Sequence, residues 1–298
     1  MSYIFIFIDG LGLGTNNVHN PFTKLKPFFL EHYLANAWLE QKEIYQKDLC
    51  FKGIDARLDV QGIPQSATGQ VSLFTGVNAA KVLGYHLTAY PKAPLIEVLN
   101  QASFLKKAKK LGRFVTFANP YTKTYFENVK QGKRKHTAST LSVISAKLPF
   151  RTVKDLLNQQ AVSWDITNEL IKQYAEIDIP IYSPQEAGQN LVGLTQNFDL
   201  VFYETFLTDL LGHHKDYYNV GSFLKKLDQF LNSVLKYKNN NTTVVLSSDH
   251  GNVEDLSTGR HTLNPVPLLA IGPGANYFHK TKTILDVPIC LLKALSTI

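Results

Sequence analysis

Four short apolar runs stand out along the chain, at 3–8, 200–203, 243–246 and 267–271. Each is rich in Val, Ile, Leu or Phe without polar alternation, the pattern of a parallel strand buried on both faces of a sheet. Between these runs the apolar positions recur with the helical period. Phe223, Leu224, Leu227, Phe230, Leu231 and Val234 share one face of a helix predicted over 220–235, and another helix is predicted over 284–295. Strands alternating with helices imply an α/β fold built on a doubly wound, mostly parallel sheet.

Residues 91–190 follow a different rhythm. Helical segments at 94–111, 138–147 and 163–175 surround a strand at 113–118, and Pro91, Pro94, Pro180 and Pro184 punctuate the two ends. The 298 residues carry a formal net charge of +7, and this block holds all of it. It contains 15 Lys or Arg against 8 Asp or Glu, while the rest of the chain has 16 of each sign. Lys106, Lys107, Lys109 and Lys110 form one cluster, and Lys133, Arg134 and Lys135 another. The expected organisation is therefore a core of 1–90 and 191–298 with a smaller inserted α+β cap at 91–190. The basic cap reads as a module that faces an anion.

Composition narrows the partner. The chain is 44% hydrophobic and 18% charged, enough apolar sequence for a real core. Cys50 and Cys290 match neither a disulfide scaffold nor a zinc ribbon. Every apolar run falls short of the roughly 18 residues of a membrane span. The first eight residues lack a basic leader, so a cytoplasmic, soluble enzyme is expected. Tyr121, Tyr125 and Phe126 lie between the basic clusters and have rings that could stack on bases, but no nucleic-acid-binding motif accompanies them. A small anionic substrate is the expected partner instead.

The ends of the strands carry the candidate chemistry, as expected where active sites lie at the carboxyl edge of an open α/β sheet. Asp9, Asp209 and Asp249 follow three successive strands. A lone Asp there is usually a turn residue or helix cap. Here histidines accompany them: His213 lies four residues after Asp209, on the same helical face, and His250 adjoins Asp249. His261 follows in the short loop before the last strand. Mixed oxygen and nitrogen donors suit two divalent ions, zinc or manganese better than magnesium. Such a pair clamps the attacking and leaving oxygens of a phosphoryl displacement. The nucleophile would come from Gly62-Ile63-Pro64-Gln65-Ser66-Ala67-Thr68-Gly69-Gln70, which offers the hydroxyls of Ser66 and Thr68 at the start of a helix. A hydroxyl and a phosphate both gain there from free backbone N–H groups. Simple N-capping by Ser66 is the plain alternative.

These segments together resemble the alkaline phosphatase superfamily, in its cofactor-independent phosphoglycerate mutase and phosphopentomutase branch. The resemblance rests on Asp9-Gly10-Leu11-Gly12, Ser66-Ala67-Thr68-Gly69-Gln70, Asp209-Leu210-Leu211-Gly212-His213, Ser248-Asp249-His250-Gly251-Asn252-Val253-Glu254 and His261-Thr262-Leu263-Asn264-Pro265. It implies that Asp209, His213 and His261 hold one metal and that Asp9, Asp249 and His250 hold the other. It also places the nucleophile, bound to the second metal, at Ser66, with Thr68 as the alternative. Three departures are visible. The chain is much shorter than such a mutase, Gln70 stands where that family usually has histidine, and the 91–190 block has only Arg113, Arg134 and Arg151 as arginines. Lysine is a poorer bidentate phosphate clamp than arginine. A phosphatase hydrolysing a small phosphate monoester is therefore expected, with a phosphomutase as the alternative.

Overall fold

Successive side chains of a strand point to opposite faces of its sheet, and the first strand, β1 (Ser2–Ile8), uses both. Tyr3, Phe5 and Phe7 enter one hydrophobic cluster, and Ile4, Ile6 and Ile8 enter another. The computed structural model describes residues 1–25, 33–34, 36–175 and 177–298, with the backbone alone at 217–218. The remaining strands are β2 (Ile44–Gln46), β3 (Leu49–Ile54), β4 (Val115–Phe117), β5 (Pro120–Tyr121), β6 (Arg151–Thr152), β7 (Leu200–Thr205), β8 (Thr242–Ser247) and β9 (Val266–Ile271).

Seven strands form one sheet in the order β2-β3-β9-β8-β1-β7-β4, and β5 pairs with β6 in a separate ribbon. The neighbours β8, β1, β7 and β4 run parallel. β9 runs antiparallel to β8 and β3, and β2 runs antiparallel to β3. Five of the seven strands thus share one direction, the mostly parallel α/β sheet expected. β9 corrects the expectation of a fourth buried parallel strand. No helix lies between β8 and β9, so the chain returns beside β8 instead of crossing over.

Helices cover both faces. Tyr217–Tyr237 and Pro184–Gly193 pack on the isoleucine side of β1, and the six apolar residues expected on one helical face all lie in that cluster. Ser66–Thr75, Ala93–Ala102, Phe104–Lys110, Ala138–Ser145 and Asp286–Leu295 cover the aromatic side. The helix expected over 94–111 breaks at Ser103, whose ψ of 131° is not helical. The one expected over 163–175 is replaced by irregular backbone, with only a short 3-10 turn at Ile171–Tyr174. There the Asp165 carboxylate accepts from the Leu170 N–H at 2.6 Å, and Ile166 and Asn168 adopt positive φ. A side chain that bonds local backbone in this way competes with the helix ladder.

Residues on both sides of 90/91 contribute to this layered core. Leu95, Leu99, Phe104 and Phe117 belong to the aromatic-side cluster. The Phe202 ring lies 5.5 Å from Phe5, 5.2 Å from Phe104 and 5.1 Å from Phe117. A segment that supplies a strand to the main sheet is part of that sheet's folding unit. What remains outside is smaller: the β5–β6 ribbon, the Lys123–Lys130 helix and a separate cluster of Leu156, Ala161, Ile171 and Ile179.

The loops that carry the aspartates are tied together by one buried side chain. Glu254 accepts from the N–H of Gly12 at 3.0 Å and of Asn252 at 2.8 Å. It also accepts from the Thr262 hydroxyl, and from Asn264 Nδ2 at 3.1 Å. Those donors come from the loop after β1 and from the connection between β8 and β9. Glu254→Ala strands four donors and should destabilise the protein by at least about 3 kcal/mol, given that buried bonds to a charged group are worth roughly 1.5–3 kcal/mol each. Phe202→Ala, which empties the centre of an aromatic cluster, should cost about 3–5 kcal/mol. Chemical denaturation of both variants measures these losses.

Candidate metal centre

The site grows from the carboxyl ends of neighbouring strands. Asp9 directly follows β1, and its N–H donates to Thr205 O at the end of β7 at 2.9 Å. Asp249 and His250 follow β8, while Asp209 and His213 lie on the Leu207–His214 helix after β7. Two glycines let these segments meet. Gly10, at φ +69°, has no room for a Cβ, which would sit 2.7 Å from Asp209 Cβ. At Gly69 a Cβ would lie 2.8 Å from Asp249 O, so the Ser66–Thr75 helix approaches the β8 loop backbone to backbone.

His250 Nε2 is the hub. It lies 3.0 Å from Ser66 Oγ, 3.3 Å from Asp9 Oδ1 and 3.4 Å from Asp249 Oδ2. Asp209 Oδ1 lies 3.3 Å from His261 Nε2, and its Oδ2 lies 3.4 Å from His213 Nε2. The two imidazole nitrogens of His213 and His261 are 3.1 Å apart, and the rings of His250 and His261 stack at 3.7 Å. Every expected ligand residue therefore lies in one cluster. Two triads have donor atoms close enough to share an ion: Asp9, Asp249 and His250, and Asp209, His250 and His261.

Carbonyls and amides orient these ligands, as outer partners do in metal sites. His213 Nδ1 faces Gly259 O at 3.0 Å, His261 Nδ1 faces Pro64 O at 2.9 Å, and His250 Nδ1 faces Gly251 O at 3.3 Å. Asn252 Nδ2 donates to Asp209 Oδ1 at 2.7 Å. Gln70, where histidine is usual in the resembled family, donates from Nε2 to Asp9 Oδ2 at 2.9 Å. Asn252 and Glu254 stood in a quoted motif, but the sequence assigned them no role. A buried polar residue shortly after a strand-end aspartate was the available signal.

The residues fit a cation. Asp9 Oδ1 and Asp249 Oδ2 are buried without a hydrogen bond, both facing His250 Nε2. One ring nitrogen cannot satisfy two carboxylates and a hydroxyl together, whereas a divalent ion can. Burial, with Asp249 and Asp209 nearby, pushes the Asp9 carboxyl well above its usual range, and burial also raises Asp249. Burial lowers His250. Burial would raise Asp209 too, but hydrogen bonds from His213 and His261 outweigh it and hold the carboxyl well below normal. The same contact with Asp209 lifts His213 to about 9.

Ser66 is the first residue of its helix. The free N–H groups expected there are partly occupied, because Ala67 and Thr68 donate to Leu87 O at 3.1 and 3.4 Å. Thr68 is 0% exposed, and its hydroxyl donates to Gln65 O at 3.1 Å and accepts from Leu87 N at 3.3 Å. Among the basic residues, Lys107 reaches Thr75 O at 3.5 Å, and Lys109 reaches Ala146 O and Lys147 O at 3.2 Å. These ammonium groups sit on helix C-terminal carbonyls, where the helix dipole favours cations.

A 2,3-bisphosphoglycerate-independent phosphoglycerate mutase of Legionella pneumophila (strain Lens) is 28% identical over 134 residues, covering 41% of this chain and 26% of that protein. An enzyme of the same name from Ehrlichia canis (strain Jake) is 28% identical over 109 residues, 34% of this chain and 22% of its own length. The chain thus matches about a quarter of these relatives' length. The alkaline phosphatase from the Antarctic bacterium TAB5 shares the fold with a TM-score of 0.59 at 14% identity, over 99% of this chain and 98% of that one. A cold-active alkaline phosphatase from Shewanella sp. does so with a TM-score of 0.55 at 13% identity, over 99% and 100%. No described helix is long and apolar enough to cross a membrane. The family profile of the metalloenzyme superfamily matches residues 1–297, and with the strand-end ligand cluster and an alkaline-phosphatase-like fold, this chain belongs to that superfamily.

Proposed function

We propose that the protein is a two-metal phosphatase that hydrolyses a small phosphate monoester through phospho-Ser66. The placement of Ser66 Oγ 3.0 Å from His250 Nε2, beside the unpaired oxygens of Asp9 and Asp249, carries this reading. Asp9, Asp249, His250 and the Ser66 oxygen would hold one ion, and Asp209, His213 and His261 the other. Zinc or manganese suits these donors better than magnesium. When bound, the ions would supply positive charge that lowers the hydroxyl pKa and neutralises the phosphoryl oxygens.

The chain's own residues do the positioning. Gln70 holds Asp9, Asn252 holds Asp209, and the Pro64, Gly251 and Gly259 carbonyls orient three imidazoles. Ser66 Oγ releases its proton to solvent and attacks phosphorus, the bond from phosphorus to the ester oxygen breaks, and the alcohol leaves with a proton from solvent. Water then attacks the phosphoserine, releases phosphate and restores the hydroxyl. The complete burial of Thr68 and its two hydrogen bonds favour Ser66 as the nucleophile. The curated relatives are named as mutases, but the few arginines in 91–190 argue against holding and turning a freed intermediate.

Metal-loaded protein incubated with a panel of phosphate esters should release inorganic phosphate. An isomeric ester formed without release would replace the phosphatase reading with a mutase. Ser66→Ala should keep its metal content but lose turnover by orders of magnitude, and the phosphate adduct on the Ser66 peptide, seen by mass spectrometry in the native protein, should vanish. Asp249→Asn and His261→Ala should each lower metal occupancy, read by elemental analysis. Chelation should also lower the melting temperature, since an ion that binds only the folded state stabilises it, and added zinc or manganese should restore it.

A further inference from the structure

A cavity of about 320 Å³ lies at the carboxyl ends of β4 and β7, the sheet edge that carries the ligand cluster. Its floor is formed where β4 and β7 end, by Phe117, Asn119, Glu204 and Phe206. Neighbouring strands lie roughly 4.8 Å apart, so the end of β7 is one strand spacing from the end of β1, where Asp9 stands. Leu210, the residue after Asp209, lines the same cavity. The volume falls in the range of small-molecule sites.

Its walls are aromatic, and its polar groups are few. Trp164 stacks on Phe206 with centroids 4.6 Å apart and planes 19° apart, while Tyr121 and Tyr125 meet edge-on at 4.8 Å. Asn119 is spent on the backbone of Glu204, donating to its carbonyl at 2.8 Å and accepting its N–H at 2.9 Å. That clamp fixes the Glu204 backbone, and its side chain lines the cavity, where Oε1 accepts from Ser139 Oγ at 2.8 Å. Arg134 lies over the Tyr125 ring at 5.1 Å and supplies donors at the rim.

Resting on the phosphatase reading, we propose that this cavity receives the alcohol half of the ester and selects a flat heteroaromatic ring with both donor and acceptor edges, which makes the substrate a nucleoside monophosphate. Rings stack on aromatic side chains, Glu204 accepts from an N–H of the base, and Arg134 donates to a ring nitrogen or carbonyl oxygen. An acidic alcohol half, such as a hydroxy acid, would instead bring its carboxylate against Glu204.

Adenosine 5′-monophosphate, benzyl phosphate and ribose 5-phosphate separate the contributions, because all three leave as primary alcohols. The nucleotide should exceed ribose 5-phosphate in kcat/KM by roughly 5- to 150-fold, the worth of one base–aromatic stack. Trp164→Ala should narrow that gap and Trp164→Phe should restore it. Glu204→Gln should lower the ratio of nucleotide to benzyl phosphate. Adenosine itself should bind Ser66→Ala protein and perturb its tryptophan fluorescence, a readout that needs no turnover. Equal kcat/KM for nucleotide and ribose 5-phosphate overturns ring selection while leaving the phosphatase reading standing. Adenosine binding with no ester hydrolysed has the opposite result: the cavity assignment stands and the phosphatase reading falls. Benzyl phosphate turning over as well as the nucleotide removes Glu204 from the recognition.

Discussion

Three carboxylates, those of Asp9, Asp209 and Asp249, converge on the imidazoles of His213, His250 and His261 at the edge of the sheet, and among the described residues no lysine or arginine is paired with them. Crowding like charges in a place shielded from water is unfavourable, and the raised carboxyls of Asp9 and Asp249 register that cost. Much of the surrounding construction exists to hold the arrangement. Glu254 binds the loop after β1 to the connection between β8 and β9, Gly10 and Gly69 let backbones approach, and the parallel strands place the loops at neighbouring positions along one rim. A divalent ion held there would convert this tension into affinity and would link metal binding to the integrity of the rim.

The convergence of the candidate ligands on one rim was foreseeable because their positions depend on local order. A carboxylate that follows an apolar strand is delivered to the rim by the strand itself, and the i, i+4 spacing of Asp209 and His213 needs only one turn of helix. The central strands were legible for the same reason, being unbroken apolar runs. What failed to show was set by distant partners. β2 and β3 form a hairpin containing Tyr45, Gln46, Lys52 and Gly53, with no clean apolar run, and Lys52 becomes tolerable only because its ammonium reaches the Tyr45 hydroxyl at 2.8 Å. Likewise nothing near 115–117 announces that its partner is a strand more than 80 residues later. Charge composition marked 91–190 as a unit, yet composition reports solvent exposure and not which sheet a segment joins.

The basic character of that segment also divides on inspection. Lys107 and Lys109 of the first cluster sit on helix-end carbonyls in the covering layer, while Arg134 from the second reaches the rim of the aromatic cavity. Two tasks are thus open to part of the excess charge, holding helix termini and, on the proposal above, presenting one guanidinium to a ligand. Neither task resembles a continuous track for a polyanion.

The end of β7 serves two purposes within seven residues. Glu204 and Phe206 furnish the cavity floor, and Asp209 belongs to the ligand cluster. A mutation that reshapes the floor therefore also disturbs the helix that carries Asp209 and His213. Freedom to vary lies on the opposite walls, around Tyr121, Tyr125 and Trp164, which belong to segments that carry no candidate metal ligand. Descendants of such a protein can change the molecule they recognise by redrawing those walls, while the strand end that joins recognition to chemistry is inherited nearly intact.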